Sequence, residues 1–219
     1  MRKNNLFLIL FCLIVVGCSP TVLFNSPQPA GKRDLMQFPT RFQGEYESLD
    51  DSSIFLIEKN IIRQRNIVDI SVPKTEVDTS QDVILEGNVL TIKESGEKVP
   101  VTFRNDSIFG TLTTYDTTFF ISDKGILRKY KGYYFMNFWQ EGDQWMIYKL
   151  KFSNDGTASA CGISKDDELD QIKEIVPVDE VKNDQGEGQK YIIKPEKGDF
   201  KELIELGHFR ECTQYKKIK

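Results

Sequence analysis

From Gly44 to Gly162 the sequence alternates between short runs rich in β-branched and aromatic residues and tight clusters of Asn, Asp and Gly. This rhythm constrains the fold more than any other feature of the chain. The runs cover residues 54–57, 61–71, 83–85, 89–93, 99–104, 107–114, 117–122, 125–131, 133–140, 144–152 and 158–161. Between them lie Glu58-Lys59-Asn60, Gly87-Asn88, Ser95-Gly96, Asn105-Asp106, Asp123-Lys124-Gly125, Glu141-Gly142-Asp143 and Asn154-Asp155-Gly156. Asn, Asp and Gly tolerate the positive φ that tight hairpins require, so each cluster reverses the chain by a stated mechanism. Hairpins in such close succession predict a mainly β fold, an antiparallel up-and-down barrel or curved β-meander. The strand–helix–strand alternation of nucleotide-binding domains is absent.

The carboxy-terminal part is mixed. Ser164-Lys165-Asp166-Asp167 opens a helix that places Leu169, Ile172 and Ile175 on one side, with acids in the first turn where the helix dipole favours them. A polar loop over 182–189 and a strand over 191–194 follow. Asp199 is expected to cap a short helix with Phe200, Leu203 and Ile204 inward, Gly207 to stop it, and residues 209–218 to return as a last strand.

The amino terminus has a different character. Arg2 and Lys3 precede eleven uncharged apolar residues, 6–16, and then a small residue and a cysteine. A membrane-spanning helix needs about 20 apolar residues, so the run fits a cleaved secretory signal peptide over 1–17. Val15-Val16-Gly17-Cys18 resembles a bacterial lipobox. The resemblance implies that the Cys18 thiol carries a diacylglyceryl group, that Cys18 becomes the first residue, and that its new amino group is acylated, typically with palmitate. Several acyl chains anchor stably where one alone is marginal. Ser19 stands where an Asp would resemble the inner-membrane retention signal, which implies a lipid anchor in the outer membrane of the cell envelope, with the domain facing the periplasm. Residues 19–40 hold four of the eight prolines, so 18–37 reads as a tether and 38–219 as a single β-rich domain.

Removing residues 1–17 leaves 27 basic and 33 acidic side chains, a net charge of −6 over 202 residues. That balance excludes a nucleic-acid footprint and gives no charge-driven attraction to anionic lipid.

Candidate chemistry is sparse. Tyr130, Tyr133, Tyr134, Phe135, Phe138, Trp139, Trp145 and Tyr148 form the densest aromatic region. Strand alternation makes both of its faces apolar, which fits a doubly buried core strand. The alternative is that Tyr133, Trp139 and Trp145 line a cavity or stacking platform for a small apolar or saccharide ligand, or form an interface. Cys161 and Cys212 remain once Cys18 is lipidated, and an exported pair permits a disulfide closing 51 residues, with two buried free thiols as the alternative. His208 is the one histidine, so a multi-imidazole zinc site is excluded, and no G-x-S-x-G elbow accompanies it. Glu45 with Glu47, Asp50-Asp51, Asp166-Asp167-Glu168 and Asp179-Glu180 read as solvated charge, and Asn183 to Gly188 lacks the ligand alternation of a calcium loop. No cofactor or metal is expected.

Phe42-Gln43-Gly44-Glu45-Tyr46 resembles the G-x-W opening of lipocalin and other calycin barrels, with Tyr46 in the Trp position. The resemblance implies a barrel whose glycine–aromatic turn plugs one end. Asp106-Ser107-Ile108 and Asp116-Thr117-Thr118 are similar to the acceptor triplets of a general O-glycosylation system in some Gram-negative envelopes, beside expected turns. The sequence thus leads to a non-enzymatic envelope lipoprotein that binds a small ligand or an envelope partner, or else serves as a structural or assembly subunit of an outer-membrane complex.

Overall fold

The structure, a computed structural model of the chain, describes residues 21–163, 165–182, 189–196 and 198–219, without the side chains of 165–168, 182 and 189. Residues 1–17, expected as a signal peptide, Cys18 and the polar loop 183–188 lie outside the described residues.

The elements are, in chain order, β1 (Thr21–Phe24), β2 (Asp34–Leu35), a 3-10 turn (Thr40–Phe42), β3 (Gly44–Ser48), β4 (Ile54–Ile57), β5 (Ile61–Pro73), α1 (Lys74–Thr79), β6 (Val83–Glu86), β7 (Val89–Ile92) and β8 (Lys98–Arg104). They continue with β9 (Ser107–Phe120), β10 (Gly125–Tyr130), β11 (Tyr133–Glu141), β12 (Gln144–Phe152), β13 (Thr157–Gly162), α2 (Lys165–Ile175), β14 (Val178–Lys182), β15 (Gln189–Ile193), α3 (Asp199–Glu205) and β16 (Glu211–Lys217). The fold is the mainly antiparallel β architecture that the turn chemistry predicts. The sheet runs β14-β15-β1-β12-β13-β16-β3-β4-β5-β9-β8-β7-β6, with β11 also on β12, β10 on β11 and β2 on β10, and it does not close. One pair, β1 with β15, is parallel.

Three cores organise these strands. Nine strands, β3, β4, β5, β9, β10, β11, β12, β13 and β16, each send a side chain into the first, which includes Tyr46, Ile57, Ile62, Phe119, Leu127, Tyr134, Met136, Leu150, Ala158 and Tyr215. The gap between β9 and β10 is crossed by the segment from β2 onward. Leu35 pairs with Leu127, the Phe38 amide donates to the Lys59 carbonyl at 2.8 Å, and the fully buried Phe38 ring stands edge-on to Phe119 at 6.1 Å. Gly44 opens β3 at φ 137° with its Cα against the chain end, where an added Cβ would lie 2.1 Å from the Lys219 carbonyl oxygen. Tyr46 follows, buried, its hydroxyl donating to the Phe42 carbonyl at 2.9 Å.

The second core lies on the opposite face of β11 and β12. Phe135 and Ile147 meet Val22, Phe24, Ile172, Val176, Ile193, Phe200, Leu203 and Phe209 there, so α2 and α3 cover this face, and β1 and β15, which extend the sheet from β12, add to the same core. The third core is separate. β5 and β9 pair over thirteen positions and run beyond the first core as a ribbon whose far end carries α1, β6, β7 and β8 around Val77, Leu90, Val99, Val101 and Ile108. We call this extension the arm.

Four expectations are corrected. The tether shortens, because β1 joins the sheet at Thr21 and Gln28 is fully buried; Val22, Leu23 and Phe24 supply the apolar run that the proline count obscured. Runs 107–114 and 117–122 are one strand, since Tyr115 and Asp116 keep their register opposite Arg65 and Gln64. Helices are not confined to the carboxy terminus, because α1 follows directly on β5, with Val77 buried over the tip sheet. Asp199 is the first residue of α3 and not its cap, and its carboxylate accepts from the Glu196 amide at 2.9 Å.

Candidate functional site

The first core is filled. Phe42 stacks on Phe152 at 4.2 Å, Phe119 meets Phe138 edge-on at 4.9 Å, and Phe55 meets Tyr215 at 5.5 Å. What remains is an apolar cavity of about 70 Å³ bordered by Tyr46, Ile57, Ile62, Met136, Leu150 and Tyr215. Ligand cavities run from about 300 Å³ upward, so this space is a packing gap. Burial raises the phenol pKa of Tyr46 and Tyr215, which keeps both hydroxyls protonated.

The aromatic strand divides as alternation requires. Tyr134, Met136 and Phe138 face the first core, while Phe135 and Tyr133 face the second. Trp139 and Trp145 are cross-strand register partners. Trp145 is buried beside Phe24, whose register position it shares on the other edge of β12. The Trp139 indole N–H donates to the Gly142 carbonyl at 2.8 Å, and the Lys124 ammonium lies 4.3 Å from the ring centroid. Tyr133 stands at the far end of the strand under Lys149, 5.4 Å from its ring. Between Tyr133 and the tryptophans on the same face lies the buried Asn137. It accepts from the Gln28 amide at 2.6 Å and donates to the carbonyls of Gln28 and Ile126 at 2.9 and 3.0 Å. The three aromatics therefore border a docked segment of the chain itself.

Cys161 and Cys212 are joined by a disulfide between register partners of β13 and β16. His208 is buried after α3, with its amide donating to the Leu203 carbonyl at 2.9 Å and its Nδ1 without a partner. Glu45 pairs with Arg65 at 3.3 Å, while the Asp51 carboxyl, held below its ordinary range first by the Ser53 hydroxyl, is a turn cap. Among the described residues no group of three metal-ligating side chains converges. These features do not assemble a nucleophile with a base.

The arm is different in kind. Of the eleven large hydrophobic side chains exposed among the described residues, five lie on it: Ile67, Val68, Ile84, Phe103 and Tyr115. Its middle is two strands wide and open on both faces, with Ile67 62% exposed on one and Val68 49% exposed on the other. On the face of Ile67 and Tyr115 the strands form an open groove of about 740 Å³ bordered by Asp69, Ser71, Pro100, Thr102, Arg104, Phe109 and Thr111. Asp69 accepts from the Thr111 hydroxyl at 3.1 Å, and the Arg104 guanidinium lies 5.7 Å from the Phe109 ring. Residues 63–117, whose ends Arg63 and Thr117 are register partners, carry nine acidic and six basic side chains, a net −3, half of the −6 carried by residues 18–219. Thr117 of the second acceptor-like triplet is exposed there, in mid-strand and not beside a turn.

Sequence reasoning did not single out the arm. Two signals could have found it: runs at 61–71 and 107–118 longer than their neighbours and polar on both faces, and the excess of acids between them. Scans of protein-family profiles, curated proteins and solved structures find no match to this chain.

Proposed function

We propose that this protein is an acyl-anchored envelope lipoprotein, fixed to the outer membrane through Cys18, whose domain is a non-enzymatic partner-binding or assembly module that works through its arm. The observation that carries the partner reading is the contrast between a first core too full for a ligand and an arm that exposes five of the eleven large apolar side chains and holds half of the net negative charge of residues 18–219. A soluble domain without a partner gains nothing from such a surface, since burying Ile67 and Tyr115 would release water at about 25 cal/mol per Å² of apolar area. The anchoring half rests on the order of basic, apolar and small residues before Cys18.

Two measurements test the two halves. Labelled palmitate is expected in wild type and not in Cys18→Ala, and equal labelling would end the lipoprotein reading. Photo-crosslinking residues placed at Ile67 or Tyr115 in intact envelopes should give a discrete larger species, while the same residue at the exposed Lys151 of β12 should not. No species from either arm position removes the partner reading.

A further inference from the structure

The arm leaves a strand edge open. β5 pairs with β9 along its whole length, but β8 covers the other edge of β9 only from Ser107 to Gly110, where β8 diverges to join β7. From Thr111 to Thr117 no strand pairs with that edge among the described residues. Alternate peptide groups of such a strand direct N–H and C=O away from the single partner, which makes the edge a template for another chain. Its protections are sparse, Asp116 being its one charged residue. The stretch Thr111-Leu112-Thr113-Thr114-Tyr115-Asp116-Thr117 has no Pro and no Lys, its register against β5 is unbroken, and β-branched residues dominate it. Other sheet edges are guarded: β2 has two residues, β6 is short and ends in Glu86, and β14 carries Asp179, Glu180 and Lys182 within five residues.

The charge selects the occupant. A second copy would bring two arms of −3 together, whereas a basic chain would meet attraction over the same surface. We propose that the edge of β9 from Thr111 to Thr117 receives an extended, basic segment of a partner protein with alternating apolar and polar residues. The added strand pairs its backbone with β9, sets its apolar side chains on the face of Tyr115 and Ile67, and turns its Lys or Arg residues to the opposite face, which carries Asp116. The proposal rests on the partner-binding reading above and names the chemistry of the partner.

The test uses the full chain in non-ionic detergent and short synthetic peptides. One alternates Val and Lys, one alternates Val and Glu, and one repeats the first with alternate backbone amides methylated so that it keeps its charge but cannot pair. Fluorescence anisotropy should show the Val/Lys peptide binding at least about tenfold more tightly than either control, a difference of about 1.4 kcal/mol. Amide exchange should slow at residues 111–117. The variant Asp116→Asn, checked for wild-type melting, should bind the Val/Lys peptide several-fold more weakly. Equal binding of the acidic or the methylated peptide, or protection at β6 or β14 in place of 111–117, overturns the proposal. Absence of peptide binding alongside an arm-specific crosslink overturns strand addition alone, whereas absence of the crosslink overturns the partner reading on which it stands.

Discussion

Asn137 lies in the middle of β11 between aromatic neighbours, where a sequence reader sees a polar interruption in an apolar run. Its amide replaces the missing strand partner of Gln28, 109 positions earlier in the chain, accepting from that residue's N–H and donating to its carbonyl. A buried backbone pair that loses its partner costs about 1–3 kcal/mol for each unsatisfied group. Asn137→Leu, which keeps the volume, should therefore lower stability by about 2–4 kcal/mol and free the segment around Gln28, seen as a lower urea midpoint and faster amide exchange at Gln28. An unchanged midpoint would mean that the segment is held by packing alone. His208 tests the second core in another way. Burial, followed by the positive charge of Arg210, holds its imidazole below the ordinary value of 6.5. The folded protein then keeps the ring neutral where the unfolded chain has already taken up a proton. The contribution to stability is full above the unfolded pKa and is lost as pH falls through it, levelling off below the folded value. With one histidine in the chain, urea midpoints should decline from about pH 7 to about pH 5 in wild type and decline less in His208→Gln. Parallel declines in both proteins would assign the slope to carboxylates.

At the scale of elements, the strands whose signal is local were legible and those whose reason is distant were not. Residues 125–130, 133–141 and 144–152 form hairpins with their own neighbours, and turn residues announced each one. β1 pairs in parallel with β15, far along the chain, so nothing near Val22 distinguishes it from a proline-containing tether. The break expected at Tyr115-Asp116 was reasonable on composition, yet β5 holds that stretch in line from across the ribbon. Of the candidate site residues, the sequence left Cys161 and Cys212 open between a disulfide and two buried thiols, and the structure forms the disulfide. The arm was not legible, because an exposed ribbon follows no core-facing periodicity. Its tip depends on Gly110, where β8 leaves β9: an added Cβ would lie 3.0 Å from Val101 Cγ1, 3.1 Å from the Pro100 carbonyl oxygen and 3.1 Å from Val99 Cγ1. Backbone on one side and a buried valine on the other leave little room to yield. Gly110→Val should cost about 1–3 kcal/mol through overpacking and raise amide exchange in β6, β7 and β8 while leaving β11 and β12 protected. Uniform loss of protection across all strands would show that the tip and the first core unfold together.

The whole molecule is two packed cores sharing one sheet, plus a third core held away from them by a ribbon of two strands. Between residues 66 and 69 on β5 and 111 and 115 on β9, Leu112 alone packs against a cluster, that of the tip, and Ile67, Val68, Asp69, Thr111 and Thr113 are all exposed. A two-stranded ribbon without a covered face is marginal by itself, so the tip and the rest should behave as separate cooperative units. That independence can be tested by excision. Asn66 and Thr114 are register partners, and a two-residue Asn-Gly turn matches the twist of an antiparallel pair, so residues 67–113 can be replaced by Asn-Gly with the hairpin kept. The shortened chain loses the third core and none of the first or second. It should retain the Cys161–Cys212 disulfide, which in the chain-entropy model contributes roughly 4 kcal/mol for a loop of its length, and melt within a few degrees of wild type. The palmitate labelling proposed for Cys18 should be unaffected, because the removed residues lie outside the lipobox-like segment 15–18. Binding of the Val/Lys peptide and the envelope crosslink should both disappear, since their surface is gone. A shortened chain that folds and still captures the peptide would move the partner surface to the main body, and one that fails to fold would show that the third core stabilises the other two.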